Sequence, residues 1–351
     1  MLRQARSVDH AQHEWAVVLA GGDGVRLKPL TRKICGDERP KQFCPLLRGI
    51  TLLEETQRRV ALQFSVARTL YVVNRCHEVY YAPLLSDVPM TNLVVQSRNR
   101  GTAPAILYSL LRIAAVDPDA IVALFPSDHY VSDNHEFMTQ VHTALQTARF
   151  RPATVILLGL EADSPEVEYG WIEPARPIHK IRRIFNVRRF WEKPNKLQAQ
   201  VLQLRGCLWN SFVMISSVRA LLDLIQATLP GLYRIMSSLS PNVGKPEEAV
   251  LSGHIYDWIE ETNFSHAVLA CHPERLAVLK VSGVNILRQD LESDVFFVLG
   301  NSPQFICALI HSDGIGIDVP RPQGNSSGAG CSAKMLFIPD RHAYRGGRHC
   351  A

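Results

Sequence analysis

Short apolar runs alternate with amphipathic stretches over roughly the first two thirds of the chain. The run at residues 15–20, WAVVLA, is apolar at every position, which is typical of a strand buried on both faces of a sheet. Comparable runs predict further strands at 69–74, 92–96, 120–125, 155–160, 183–192 and 207–215.

Helices are predicted between these strands. TLLE at 51–54 has the capping-box pattern and opens a helix that runs to about residue 64. A second helix begins at 101–104, where proline is tolerated in the first turn, and ends near residue 116. A third covers about 217–229. Because strands and helices alternate up to about residue 230, we predict an α/β fold with a mostly parallel, mixed sheet and helices on both faces.

The chain divides into three segments by pattern. Residues 1–14 precede the first strand and form an N-terminal extension, and residues 15–285 carry the regular pattern. The pattern is lost after about residue 284, and residues 320–351 contain 5 Gly, 3 Pro and 3 Ser among 32. We therefore predict that residues 286–351 form an atypical, poorly ordered C-terminal tail.

Composition and charge exclude several classes of protein. The 351 residues are 46% hydrophobic and 20% charged, as in globular proteins, and the net charge is +5, which suits an anionic small molecule as well as nucleic acid. No basic run is interleaved with aromatic residues, which disfavours nucleic-acid binding. Eight cysteines without a CxxC spacing, no secretory signal and no apolar run of about 20 residues indicate a cytoplasmic protein with reduced thiols, away from membranes.

A glycine-rich loop follows the first strand. LAGGDGVRLKPLT at 19–31 would let backbone N–H groups approach a phosphate, and Arg26 could reach the same group with its guanidinium. The loop contains neither GxxxxGK[ST] nor a complete GxGxxG, and by itself it is equally typical of an ordinary turn. A second basic motif, RPKQF at 39–43, follows it closely.

Read together, these two motifs resemble the signature of sugar-1-phosphate nucleotidyltransferases, with mannose-1-phosphate guanylyltransferases closest. Further matching motifs follow in order: Gln96, NRGTAPAI at 99–106, PSDH at 126–129, EYG at 168–170, FWEKP at 190–194, WN at 209–210 and NFS at 263–265. The resemblance covers about residues 15–285 and implies a Rossmann-like nucleotidyltransferase domain. It also implies that the phosphate of mannose 1-phosphate attacks the α-phosphorus of GTP, giving GDP-mannose and pyrophosphate.

The resemblance assigns roles to particular residues. Arg26 and Lys41, both expected to be exposed in a cleft, would neutralise charge on the triphosphate during catalysis. The nucleotide-binding residues are Gly21, Gly22, Gln96, Gly101 and Thr102. The residues that bind the sugar phosphate are Tyr169, Gly170, Glu192, Lys193 and Asn210. Asp128, at the carboxyl end of a predicted strand, would hold Mg²⁺, although a loop or helix-cap role is the plain alternative.

One part of the sequence departs from the family. After the LAVLKV strand at 276–281 the family supplies a Trp and, two residues later, an Asp that ligates metal. This chain has Ile286 and Arg288 at those positions. This departure favours one alternative to the leading hypothesis, a weakly active homologue that binds nucleotide sugar and regulates a partner. A transferase for another sugar or base is a second alternative that stays open, since the motifs indicate the base only in part. The sequence is compatible with a homo-oligomer without requiring one.

Overall fold

The structure, a computed structural model, describes residues 13–46, 49–178 and 183–287, and the backbone of 295–299, 305–311 and 314–318. The strands within these residues are β1 (Glu14–Leu19), β2 (Thr69–Asn74), β3 (Leu93–Gln96), β4 (Ile121–Pro126), β5 (Tyr130–Val131), β6 (Val155–Glu161), β7 (Gly170–Pro177), β8 (Ile184–Glu192), β9 (Leu208–Ser217), β10 (Leu276–Lys280), β11 (Ile286–Leu287), β12 (Val295–Leu299), β13 (Phe305–His311) and β14 (Gly314–Asp318). The α-helices are α1 (Lys28–Cys35), α2 (Leu52–Val60), α3 (Glu78–Tyr81), α4 (Thr102–Val116), α5 (Asn134–Phe150), α6 (Lys196–Leu204), α7 (Val218–Thr228), α8 (Pro230–Ser237) and α9 (Glu248–Trp258).

A nine-stranded sheet organises the molecule. Its strand order is β3-β2-β1-β4-β9-β6-β10-β8-β7, and β7 also pairs with β9. Strands β1 to β4 are parallel to one another, as are β6 and β10, whereas the pairs made by β8 and β9 are antiparallel. The predicted α/β class with a mixed sheet is confirmed. The sheet is less parallel than predicted, because in the described part of the chain four of its nine strand pairings are parallel and the five made by β8 and β9 with their neighbours are antiparallel.

Apolar side chains cover both faces of the sheet. In β1, Ala16 and Val18 belong to the core on one face, while Trp15 and Val17 belong to the core on the other. Successive side chains of a strand point to opposite faces, so a strand covered on both sides must be apolar throughout. The continuous run at 15–20 is explained by this two-sided burial.

The local signals at helix starts are also confirmed. Thr51 accepts a hydrogen bond from the backbone N–H of Glu54, and the Glu54 carboxylate accepts one from the Thr51 N–H, which completes the capping box of α2. The second predicted helix corresponds to α4, and the third corresponds to α7.

The predicted C-terminal tail is described only in part. Strands β12, β13 and β14 form an antiparallel three-stranded sheet, and the rest of residues 288–351 lies outside the described residues, as do residues 1–12. The predicted boundaries shift slightly, because β1 begins within the predicted extension 1–14 and β11 contains the first two residues of the predicted tail 286–351. Within the part of the chain that the structure describes, no helix combines the length and apolar character needed to span a bilayer.

Candidate active site

A cleft of about 510 Å³ opens at the carboxyl ends of the parallel strands, the edge where open α/β sheets bind ligands. Leu19 at the end of β1, Gln96 at the end of β3 and Pro126 at the end of β4 all line it. Every predicted site residue except Tyr169 also lines it: Gly21, Gly22, Arg26, Lys41, Gln96, Gly101, Thr102, Asp128, Gly170, Glu192, Lys193 and Asn210.

The glycine loop is held by side chains from two other segments. The buried Gln42 donates from Nε2 to the carbonyls of Ala20 (3.1 Å) and Gly22 (2.9 Å), and the Ser127 hydroxyl donates to the carbonyl of Leu19 (2.8 Å). These hydrogen bonds occupy carbonyl groups at the start of the loop. The RPKQF motif thus braces the loop through Gln42, a role that the sequence alone did not predict.

The predicted nucleoside side of the cleft is closely packed. A Cβ on residue 21 would lie 2.4 Å from Gln96 Nε2, so any larger residue would displace the buried amide from its place beside the loop. The Tyr256 hydroxyl lies 3.3 Å from Gln96 Oε1 and donates to it. The amide is therefore fixed beside the loop.

Glycine is also required at the start of α4. Gly101 has φ +78°, and a Cβ there would meet the carbonyl oxygen of Thr262 at 2.5 Å. The neighbouring Thr102 hydroxyl accepts a hydrogen bond from the Phe264 N–H (2.8 Å). These contacts join the start of α4 to the segment 262–264, which carries the start of the NFS motif.

Lys41 lies at the buried end of the cleft. Its side chain is only 5% exposed, so the expectation that it would be exposed is wrong. Its Nζ is 3.9 Å from Oδ2 of Asp128, whose side chain is 46% exposed. The amphipathic lysine side chain buries its methylene groups and brings its charge to the cleft next to a carboxylate.

Arg26 is exposed and shares a carboxylate with Lys193. Glu168 accepts hydrogen bonds from Arg26 and from Lys193 Nζ (2.9 Å). The hydrogen bond from Lys193, together with both positive charges, holds the pKa of Glu168 below its usual value. Sequence reasoning quoted Glu168 in the EYG motif but gave it no role, because a counter-ion between two cations becomes visible only in three dimensions.

The predicted sugar side is built from β7, β8 and β9. A Cβ at Gly170 would approach Glu192 Oε2 at 3.1 Å and Asn210 Cβ at 3.3 Å, so the missing side chain leaves room beside both groups. Lys193 has φ +44°, a strained conformation for a residue with a side chain, and such strain often accompanies ligand sites.

Tyr169 and His129 illustrate what the motifs did not predict about the lining of the cleft. Tyr169 is not among the residues that line the cleft, and its buried ring packs edge-to-face on Trp209, with centroids 5.0 Å apart. His129 of the PSDH motif, which was given no role from the sequence, lines the cleft although it is only 3% exposed. Its Nε2 lies 3.5 Å from Asp128 Oδ1.

Asp128 fits the chemistry of a divalent-metal ligand. Its carboxylate is a hard oxygen donor, it is accessible, and it follows β4 directly into the cleft. Strand β11 pairs with β5 so that Leu287 lies opposite Tyr130, two residues after Asp128. In the family this segment is expected to supply a second carboxylate, and here it runs beside the strand that follows Asp128. Arg288 itself lies outside the described residues.

Comparison with known proteins gives consistent results. The Pseudomonas aeruginosa alginate biosynthesis protein AlgA is 30% identical over 198 residues, which are 56% of this chain and 40% of AlgA. An Escherichia coli mannose-1-phosphate guanylyltransferase is 27% identical over 234 residues, 65% of this chain and 49% of that protein. The chain thus spans about half the length, or less, of these curated relatives.

A solved structure and a family model extend the comparison. The crystal structure of a Thermus thermophilus protein described as mannose-1-phosphate geranyltransferase superposes with a TM-score of 0.68 at 28% identity, covering 80% of this chain and 77% of that one. The model of the family described as nucleotidyl transferase matches residues 15–232. These residues contain most of the cleft, and the chain belongs to the nucleotidyl transferase family.

Proposed function

We propose that this protein transfers a guanylyl group from GTP to mannose 1-phosphate, forming GDP-mannose and pyrophosphate. The observation that carries the proposal is one cleft that joins a braced glycine loop to two groups of charged side chains. Lys41 and Asp128 form one group, and Arg26, Glu168 and Lys193 form the other.

The reaction needs positioning and charge neutralisation rather than a protein nucleophile. A phosphate oxygen of the sugar phosphate forms a bond to the α-phosphorus of GTP. The bond from that phosphorus to the α,β-bridging oxygen breaks, and pyrophosphate leaves with the electron pair. Because the attacking oxygen is already anionic, no side chain has to remove a proton from it.

The charged residues suit this exchange of anions. The buried Lys41 presents a fixed positive charge, which stabilises charge that develops at the α-phosphorus with little reorganisation. Arg26 and Lys193 are held by Glu168 in this structure, and an incoming phosphate would replace that carboxylate as their partner. Glu168 thus keeps two cations oriented before the substrates bind.

Asp128 would hold Mg²⁺ together with phosphate oxygens of the nucleotide, and the ion would offset negative charge there. Glu192 and Asn210 supply groups that hydrogen-bond sugar hydroxyls. The Gln96 amide can donate to a base carbonyl, which guanine has and adenine lacks. The guanylyltransferase named among the relatives supports the same choice of base and sugar.

A weakly active homologue that binds nucleotide sugar is the second candidate, and one observation favours it. The sequence places Arg288 where the family has a metal-binding carboxylate, and a cation beside Mg²⁺ repels it.

A panel of substrates separates these functions. The protein is incubated with Mg²⁺ and each pairing of GTP, ATP, UTP, CTP or dTTP with mannose 1-phosphate or glucose 1-phosphate, and the products are identified by mass. We expect GDP-mannose to form fastest. A different nucleotide sugar as the main product contradicts the choice of substrates. Tight binding of GDP-mannose without any product contradicts the transferase proposal and supports the second candidate.

A further inference from the structure

A second group of metal-ligand side chains lies beside the glycine loop. Asp23, Cys76 and His77 each offer one ligand atom, and these atoms all lie within 4.8 Å of one another. His77 Nε2 is 3.3 Å from Asp23 Oδ1. Asp23 does not line the cleft, although Gly22 and Gly24 on either side of it do.

The end of β2 brings these residues together. Asn74 closes the strand and accepts a hydrogen bond from the Cys76 N–H (3.3 Å), which starts a single 3₁₀ turn over Arg75–His77. Because β2 is parallel to β1, this turn emerges at the same sheet edge as the glycine loop that follows β1.

His77 is the buried member of this group, whereas Cys76 is exposed. His77 is 7% exposed, and its Nδ1 has no hydrogen-bond partner among the described residues. Its ring packs edge-to-face against Phe43 of the RPKQF motif, with centroids 5.9 Å apart. The two ring nitrogens point in different directions, so Nε2, which lies 3.3 Å from Asp23 Oδ1, is the atom that would bind an ion held by Asp23, and the unpartnered Nδ1 is not explained by this site.

The three donors form a set that is typical of zinc. Thiolate, imidazole and carboxylate together suit Zn²⁺, whereas Mg²⁺ takes oxygen ligands. Zinc bonds of about 2.0–2.3 Å in a tetrahedron place ligand atoms about 3.3–3.8 Å apart. Asp23 and His77 already have that spacing, and the exposed Cys76 side chain can move about 1 Å toward them by rotation.

We propose that Asp23, Cys76 and His77 form a zinc-binding site behind the glycine loop, distinct from the magnesium position at Asp128. When the ion binds, the Cys76 thiol releases its proton to solvent, and Sγ takes the place of one water molecule that was bound to the ion. The carboxylate and the thiolate together balance the charge of the ion. Asn99 Nδ2 donates to Asp23 Oδ2 (2.8 Å), which leaves Oδ1 free to ligate and orients it.

Cobalt(II) is a suitable probe, because a thiolate–cobalt bond absorbs in the near ultraviolet and a carboxylate–cobalt bond at Asp128 does not. The reduced, metal-stripped protein is titrated with Co²⁺ and then with Zn²⁺. We expect a thiolate–cobalt band that Zn²⁺ removes at one equivalent. Cys76→Ser should abolish the band, and His77→Gln should weaken Co²⁺ binding by about tenfold or more.

Matched cysteine variants decide where the metal binds. Cys271→Ser changes an exposed thiol elsewhere and should leave the band unchanged. Cys35→Ser tests the other close thiols, since Cys35 Sγ and Cys44 Sγ are 2.6 Å apart, and it should also leave the band unchanged. The proposal is overturned if the parent shows no thiolate band, or if the band survives in Cys76→Ser. Because Cys76 is exposed, its serine variant should fold normally, and neither outcome depends on transferase activity.

Discussion

Replacing Lys41 with methionine removes one charge from the buried end of the cleft and keeps most of the side-chain volume. Lys41 Nζ lies 3.9 Å from Asp128 Oδ2, but that carboxylate is 46% exposed, so water screens the pair and its loss should affect catalysis more than stability. Loss of one preorganised donor to a developing oxyanion typically costs about 2.7–4 kcal/mol. We therefore expect kcat/KM for pyrophosphate release to fall by about 10²–10³-fold.

The stability of the same variant should change little. The methionine side chain fills the space of the lysine methylene groups, and Asp128 stays in contact with water because it is 46% exposed. We expect a change of less than about 1 kcal/mol in the free energy of unfolding, measured by urea denaturation. Lys33→Met, on an exposed position of α1 outside the cleft, is the matched control and should leave both quantities unchanged. A folded Lys41→Met protein with kcat/KM close to that of the parent would refute the role of the buried charge.

Four further predictions test separate parts of the molecule. Asp128→Asn should raise the Mg²⁺ concentration for half-maximal pyrophosphate release by about tenfold or more, because the amide lacks the charge, and an unchanged metal dependence would leave Asp128 as a loop residue. Gly101→Ala should lower the unfolding free energy by about 1–3 kcal/mol, because φ is +78° and the new Cβ meets a carbonyl, and wild-type stability in urea would contradict this. Glu168→Gln should lower Tm at pH 7. The pKa of Glu168 is below its ordinary value of 4.5 in the folded protein, so its contribution is present above that value and the Tm difference should close as pH falls through the lowered pKa. The double variant Ile286→Trp with Arg288→Asp should increase pyrophosphate release at low Mg²⁺, and full activity of the parent at ordinary Mg²⁺ would show that Arg288 does not impair it.

One strand and one capped helix show what a single local signal could predict, although α5 and α6, which begin with Asp133 and Asn195 as caps, were not predicted. The strand at 69–74 has the predicted bounds, and Thr51 caps its helix as the TLLE pattern indicates. Strand β7 was not predicted as a strand, because Pro174 and Pro177 lack the N–H that a ladder requires. Both residues lie where the register between β7 and β8 shifts, which accommodates them.

Most of the candidate site was predictable because its residues stand in contiguous motifs. The motifs could not predict which side chains from separate segments contact one another. The burial of Lys41, the bracing of the loop by Gln42 and the shared carboxylate of Glu168 all depend on contacts between residues far apart in sequence. A motif can also predict too much. Glu168 and Gly170 of the EYG motif line the cleft, but the ring of Tyr169 between them packs against Trp209.

An isotope experiment tests the proposed transfer most directly. Mannose 1-phosphate labelled with oxygen-18 in its three non-bridging phosphate oxygens is incubated with GTP, Mg²⁺ and an excess of the protein, and the products of a single turnover are analysed by mass. Attack of the sugar phosphate on the α-phosphorus predicts that GDP-mannose retains all three labelled oxygens and that pyrophosphate carries none. Label in the pyrophosphate, or turnover of GTP without a labelled nucleotide sugar, would contradict the proposed reaction.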